Sequence, residues 1–128
     1  MADIGISRDT IENELLKLSA TPDYVGYRYL VRAIELVLGC EEMLYNITTK
    51  LYPTIAEEFS VSPINVERGI RTLIAIIWRE GDIERLRQLT YKRNAPQPGN
   101  AKFIGMMSRR LLLRSKAQHE RQRNQASL

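Results

Sequence analysis

Three polar side chains at helical spacing have the chemistry to read the edges of DNA bases. Arg68 and Arg71 lie three residues apart, and Asn65 precedes Arg68 by three more. Arginine donates two hydrogen bonds to guanine, and asparagine makes a bidentate pair with adenine. Glu67 lies beside them, where its carboxylate either accepts from cytosine or orients Arg71 one turn on. This set of residue types indicates base-specific recognition of duplex DNA.

The side chains fall in the second half of a predicted helix-turn-helix. Within residues 51–73, apolar positions recur at helical spacing, stop at residues 60–62, and then recur again. Ser62 is suited to cap the second helix, and Pro63 suits its first position because its missing N–H would have no partner there. Ala56 is small enough for the two helices to cross closely. The pattern therefore predicts a recognition helix held rigidly in front of its partner.

The predicted recognition helix runs from about Pro63 to Glu80 and has two faces. At about 100° per residue, its apolar side chains form one narrow stripe, with Ile74 at the edge. The stripe consists of Val66, Ile70, Leu73 and Ile77. The opposite face carries Ile64, Asn65, Arg68, Arg71, Thr72 and Ala75. We expect the stripe to be core and the opposite face to contact DNA, with Ser62 and Thr72 at the phosphate backbone. The alternative is a helical hairpin whose arginines are merely solvated.

The distribution of charge favours a polyanionic partner. The chain of 128 residues is long enough for one domain with a real core, and its net charge is +4. Residues 1–60 carry five Lys/Arg and ten Asp/Glu, whereas residues 61–128 carry fourteen and five. The basic half therefore begins at the predicted recognition helix, as expected when phosphates supply affinity and a few side chains supply sequence preference.

The rest of the chain is predicted to be helical, giving an all-α fold of about six helices around the helix-turn-helix. Asp9 is expected to cap the first helix, and Thr21 the second, which begins at Pro22. The further helices are expected at residues 9–19, 22–39, 41–51, 82–89 and 101–114. Residues 8–114 would form the DNA-binding domain. Residues 115–128 are basic and without periodicity, and we expect a disordered tail whose Arg121 and Arg123 contact the DNA backbone.

The sequence shows no basis for an enzyme. Cys40 lacks a neighbouring base, His119 lies in the predicted tail, and no carboxylate pair, metal-ligand spacing or phosphate loop appears, so no catalytic residue, metal or cofactor is predicted. No apolar run approaches the roughly 18 residues of a membrane span, and a cytoplasmic location is expected. Tyr24, Tyr27 and Tyr29 resemble a stacking platform for single strands, but one helix cannot present all three on one side, so core and half-buried positions are expected.

Five motifs along the chain form a recognisable set. They are Tyr27-x-Tyr29-Leu30-x-x-Ala33-Ile34, Leu51-Tyr52-Pro53-x-Ile55-Ala56, Val66-Glu67-Arg68-x-Ile70-Arg71, Trp78-x-x-Gly81-x-Ile83 and Phe103-Ile104-x-Met106. From about residue 8 to residue 113, the chain thereby resembles the C-terminal effector domain of the stage zero sporulation protein A family. The resemblance implies a six-helix domain that binds a short promoter box, forms head-to-tail dimers on tandem boxes and contacts the polymerase sigma factor. Because the last helix must largely serve its own core, we expect a monomer in free solution.

The chain departs from the family pattern at three places. Asn65 stands where arginine is usual and Ile64 where serine is usual, so we expect a changed base preference. Thr90-Tyr91 replaces a Phe-Gly-Tyr run, and the following loop is shorter, which affects the expected polymerase-facing surface. The family carries a receiver domain ahead of this one, but no α/β pattern for such a domain occurs here. The chain is either a piece of a longer regulator or a stand-alone domain.

Two function classes are compatible with these features. The first is a sequence-specific, double-stranded DNA-binding transcription regulator. The second is a helical protein-interaction module that keeps the same fold and binds a sigma factor or a regulator partner. Salt-dependent binding to duplex DNA distinguishes them, because only the first class exchanges condensed counterions for basic side chains.

Overall fold

The structure, a computed structural model, describes residues 5–126 and is all-helical over that range, which confirms the predicted fold class. A π-helical turn at Ile47–Leu51 leads directly into α4. The α-helices are α1 (Arg8–Lys17), α2 (Gly26–Gly39), α3 (Glu42–Tyr45), α4 (Tyr52–Phe59), α5 (Pro63–Glu80), α6 (Ile83–Thr90) and α7 (Asn100–Ala126). No strand occurs among residues 5–126.

Helix α2 is the centre of the domain, because it packs against α1, α5 and α7. Its apolar positions repeat on more than one side, and Leu30, Ala33 and Ile34 are completely buried. Tyr27 and Tyr29 are also buried, as expected of core residues rather than of a stacking platform. Burial of this apolar surface is what holds the helices around α2.

The first two helices begin at residues other than those predicted. Ser7, not Asp9, caps α1, since its Oγ accepts a hydrogen bond from the Thr10 N–H at 3.2 Å. The Thr21 hydroxyl donates to the Asp23 carboxylate instead of capping a helix. This local bond stabilises a turn over residues that were predicted to be helical, and α2 begins only at Gly26.

The single helix predicted for residues 41–51 is divided at Asn46. This residue has φ −125° and ψ 47°, outside the helical range. Its side-chain amide donates to the Glu42 carbonyl at 3.0 Å and so occupies an acceptor at the end of α3. Short polar side chains that bond to nearby backbone compete with helix continuation in this way.

The last helix was predicted to end at Arg114 but continues to Ala126, so residues 115–126 are helical rather than disordered. Residues 127 and 128 of the predicted tail lie outside the described part of the chain. The helix continues because residues 114–126 are mainly Arg, Lys, Gln, Glu and Ala, with neither glycine nor proline. These residues lack apolar periodicity, so no helix was predicted for them. They nevertheless have a high intrinsic preference for helix.

A buried carboxylate joins α1 to α7. Glu14 is 7% exposed and lies 2.6 Å from Arg114, 2.9 Å from Lys17 and 3.5 Å from Arg110. Burial opposes ionisation of this carboxyl, but the hydrogen bonds from Lys17 and Arg114 outweigh it and hold the pKa of Glu14 below its usual value. The ionised Glu14 carboxylate is therefore more stable in the folded chain than in the unfolded one.

We expect Glu14→Gln to lower the free energy of unfolding by about 1.5 to 3 kcal/mol at pH 7. The folded-state pKa of Glu14 is lowered, so its contribution is present at neutral pH and is lost as the pH falls through that pKa. Urea unfolding at pH 7 and at about pH 3 should show the difference shrinking in acid. Glu120→Gln, at an exposed glutamate of α7, is the control. A loss independent of pH would mean that Glu14 acts through packing alone.

Candidate nucleic-acid interface

Helices α4 and α5 form the predicted helix-turn-helix with the predicted boundaries. Ser60 adopts the left-handed conformation, φ 55° and ψ 46°, and turns the chain between the two helices. The Ser62 Oγ accepts a hydrogen bond from the Asn65 N–H at 3.2 Å, so the expected cap of α5 is confirmed. At the other end, the Gly81 N–H donates to the Ile77 carbonyl at 2.7 Å. The helix is thus fixed at both of its ends.

Burial along α5 confirms its two predicted faces. The four residues of the apolar stripe, Val66, Ile70, Leu73 and Ile77, are each at most 1% exposed. Four residues of the opposite face, Asn65, Arg68, Arg71 and Thr72, are exposed. Ile64 is 61% exposed at the start of the same face, and Ala75 at its end is half-buried. A capped helix therefore holds two arginines, an asparagine and an apolar side chain toward solvent.

The geometry favours one of the two roles considered for Glu67. Its carboxylate lies 3.7 Å from the Arg71 guanidinium, one helical turn on, and its side chain is 34% exposed. The charge of Glu67 therefore restrains Arg71, as expected of an orienting residue. Arg68 forms no ion pair with any residue in the described range 5–126. Its guanidinium donors remain available to a ligand.

A groove runs between the N-terminus of α2 and the exposed face of α5. Three of the predicted site residues, Asn65, Arg68 and Thr72, line one wall of it together. Asp23, Tyr24, Val25, Gly26 and Tyr29 line the opposite wall. The groove therefore brings two of the predicted base readers, Asn65 and Arg68, together beside the start of α2, whereas Arg71 and Glu67 do not line it.

The two helices meet here through their backbones. A Cβ atom added at Gly26 would lie 2.0 Å from the Gly69 carbonyl oxygen, and one added at Gly69 would lie 3.2 Å from the Gly26 Cα. The sequence pattern predicted a close crossing only of α4 and α5, at Ala56, which is buried, and did not reveal this approach of α2 to α5. An isolated glycine within a helical pattern could have indicated it. Glycine weakens a helix, so its presence there suggests that another backbone approaches closely.

Arg121 and Arg123 lie far from these residues. Asn100 at the start of α7 contacts Glu67, and α7 rises 1.5 Å per residue, so Arg121 lies about 30 Å away along the helix axis. The predicted backbone contacts therefore divide into a group on the helix-turn-helix and a separate group on the end of α7.

A model of the family described as the sporulation initiation factor Spo0A C-terminal domain matches residues 11–111, which is most of the chain. This chain belongs to that family. The family consists of DNA-binding effector domains of a sporulation regulator and is not a family of enzymes. Within residues 5–126, no helix combines the length and hydrophobicity of a membrane span, and no group of three or more His, Cys, Asp or Glu side chains could hold a metal ion.

Arg28 is a cation of this Spo0A-type domain that the sequence pattern did not reveal. Its guanidinium lies 4.8 Å from the centroid of the Phe59 ring, and Phe59 is the last residue of α4. The side chain of Arg28 is exposed, so its charge is presented to solvent beside the turn of the helix-turn-helix. A contact between residues 31 positions apart leaves no local sequence signal.

Asn100 is a second residue of this domain that the sequence pattern did not reveal. Its side chain is buried, and its Nδ2 donates to the Tyr52 hydroxyl at 2.9 Å and to the Glu67 carbonyl at 3.1 Å. It thereby connects the first residues of α7 and α4 with the second turn of the recognition helix. The position directly after two prolines and a glycine indicated a loop end, not a buried contact.

Proposed function

We propose that this Spo0A-type domain is a sequence-specific, double-stranded DNA-binding transcription regulator that inserts α5 into the major groove. The main support is that α5 exposes a face with Asn65, Arg68 and Arg71, while its opposite face is a completely buried apolar stripe. Recognition helices present such a face near their N-terminal end, where side chains reach base edges. Arg68 and Arg71 read bases, Asn65 adjusts the preference, and Glu67 orients Arg71.

Phosphate contacts in this proposal come from the edges of the same surface. Ser62 and Thr72 bracket the proposed base readers along α5, and both are exposed residues with hydroxyl side chains. Arg28 adds a cation on the other side of the turn. Hydroxyl and cationic side chains in these positions fix the orientation of a protein on DNA without carrying sequence information.

Selection of binding sites from random duplex DNA tests the proposal directly. We expect a defined consensus and an affinity that falls with salt, since neutralised phosphates release counterions. Recovery of no consensus, or binding that does not depend on salt, would contradict it. A cytoplasmic location follows from this role, because the target DNA lies there.

We also propose that the chain is a monomer in solution and pairs head-to-tail on tandem boxes. In this arrangement the last helix of one copy faces the helix-turn-helix of the next, with Arg109 or Arg110 as candidate partners of Glu57 or Glu58. Arg110 lies 3.5 Å from Glu14 and Glu58 lies 2.7 Å from Arg32 within the same chain, which leaves the exposed Arg109 and Glu57 for an intermolecular pair. Adjacent boxes supply the effective concentration that such a weak interface needs.

The alternative role as a protein-interaction module is favoured by apolar side chains that protrude around α6. Ile83 is 70% exposed and Tyr91 is 79% exposed, at opposite ends of this helix. Contiguous exposed apolar patches mark interaction surfaces, and these two side chains are the candidates for such a surface here. In the main proposal the same surface contacts the polymerase sigma factor, as the family resemblance implies. A sigma-factor fragment that binds while duplex DNA does not would favour the module alone.

The basic end of α7 is proposed to add affinity without sequence preference. Removing the charges of Arg121 and Arg123 should flatten the dependence of log affinity on log salt by about 0.9 for each phosphate that is no longer neutralised. The consensus should stay the same, because these residues lie about 30 Å along α7 from the contact with Glu67. A changed consensus in Arg121→Ala or Arg123→Ala would mean that this end enters a groove.

A further inference from the structure

The recognition helix has a polar attachment as well as an apolar one. Apolar contacts along its buried stripe hold α5 against the core, but such contacts are not directional. The Asn100 amide, in contrast, donates to one carbonyl of α5, that of Glu67, at 3.1 Å. Hydrogen bonds depend strongly on angle. The hydrogen bond therefore adds a directional restraint on rotation or sliding of α5 to the packing of its apolar stripe.

Both donors of this amide cross between elements. Nδ2 also donates to the Tyr52 hydroxyl at 2.9 Å, on the first residue of the other motif helix, α4. The side chain does not cap its own helix, where the Phe103 N–H bonds to the Gly99 carbonyl instead. One buried amide of α7 therefore binds both helices of the helix-turn-helix at once.

The carbonyl that Asn100 binds belongs to the residue that restrains a base reader. The Glu67 side chain lies 3.7 Å from the Arg71 guanidinium, and the next residue is Arg68. A rotation of the helix by a few degrees at Glu67 moves the ends of these long side chains by an ångström or so. A bidentate hydrogen bond to a base does not tolerate such a displacement.

We infer that Asn100 is a positioning residue that sets the rotation of the recognition helix and so the base specificity of Arg68 and Arg71. This inference rests on the proposed function. Asn100 lies outside the helix-turn-helix, so the start of α7 contributes to specificity in addition to core packing and dimer formation.

The decisive measurement is the ratio of affinity for the selected site to affinity for a scrambled duplex. A variant that is merely less stable lowers both affinities in proportion to its folded fraction, and the ratio does not change. A recognition helix that is rotated away from its correct orientation keeps its phosphate contacts and loses its base contacts. Asn100→Ala should therefore lower the ratio by about 5- to 150-fold, the value of one bidentate contact.

Further variants keep the test independent of any folding defect. Asn100→Asp retains the shape of the side chain but cannot donate to the Glu67 carbonyl, and it should lower the ratio as Asn100→Ala does. Tyr52→Phe removes one acceptor and should have a smaller effect. Ser108→Ala is the matched control, since Ser108 is a buried polar residue of α7 whose Oγ has no hydrogen-bond partner among the described residues. Ile11→Val, in α1, controls for reduced stability.

Two outcomes distinguish failure of the proposed function from failure of the positioning role. A wild-type ratio near one would overturn the proposed function itself. A high wild-type ratio that survives in Asn100→Asp and in Tyr52→Phe would overturn only the positioning role. Amide exchange gives a readout without DNA: the Asn100 side-chain protons should exchange slowly in the free protein. Rapid exchange of these protons would equally contradict the inference.

Discussion

Gly26→Ala is expected to lower the free energy of unfolding by about 3 kcal/mol or more, beyond the usual range for overpacking. The new Cβ would lie 2.0 Å from the Gly69 carbonyl oxygen, and the obstacle is backbone rather than a flexible side chain. Helices α2 and α5 must then separate, which disturbs the most extensive packing in the domain. Chemical denaturation of the purified variants measures the loss.

Two other glycines make this a graded test. Gly39 ends the same helix and has nothing within 4 Å of an added Cβ, so Gly39→Ala should leave stability unchanged or raise it by about 0.5 kcal/mol. Gly69→Ala places its Cβ 3.1 Å from the Tyr29 ring and should fall between the two. If Gly26→Ala were as stable as Gly39→Ala, the two helices would not approach each other as described.

Local signals in the sequence predicted the motif because the motif is local. Serine at a cap, proline after it and a repeat of apolar residues lie within one stretch of chain, so Ser62, Pro63 and the buried stripe were placed correctly. Where a local hydrogen bond competes with a helix, periodicity alone misleads. The turn at Thr21 and the break at Asn46 are of this kind, since each depends on one side chain that bonds nearby rather than on apolar spacing.

Contacts between distant residues explain what the sequence did not reveal about the site. The approach of Gly26 to Gly69, the position of Arg28 over Phe59 and the bonds of Asn100 all join residues more than thirty positions apart. Such contacts arise from the tertiary arrangement, and neither spacing nor residue type indicates them. The long α7 shows the reverse case, in which intrinsic helix preference prevails where no packing pattern exists.

The two arginines of the exposed face provide the largest expected effects on DNA binding. Arg68→Ala and Arg71→Ala should each lose about 1 to 3 kcal/mol of affinity for the selected site. Because both side chains are exposed, stability should change by no more than about 0.5 kcal/mol. Repeating the site selection with each variant should show relaxed preference at one base pair, and a different one for each arginine.

Glu67→Gln separates its two possible roles within the same experiment. If Glu67 orients Arg71 across the observed 3.7 Å, its neutralisation should relax preference at the base pair that Arg71→Ala affects. If its carboxylate accepts from cytosine instead, a different base pair should relax. The structure favours the first result, because an unrestrained Arg71 samples more rotamers and loses more entropy on binding.

Arg79→Ala is the control that makes the arginine result specific to position. Arg79 is exposed and lies eleven residues after Arg68, which returns it to nearly the same face about 16 Å farther along the helix. A helix enters the major groove with its N-terminal residues at the bases, so Arg79 should remain outside. Its removal should weaken all duplexes equally and leave the consensus unchanged. Arg68→Ala and Arg71→Ala variants that behave like Arg79→Ala would show that α5 binds DNA only through charge, and the assignment of base readers would be wrong.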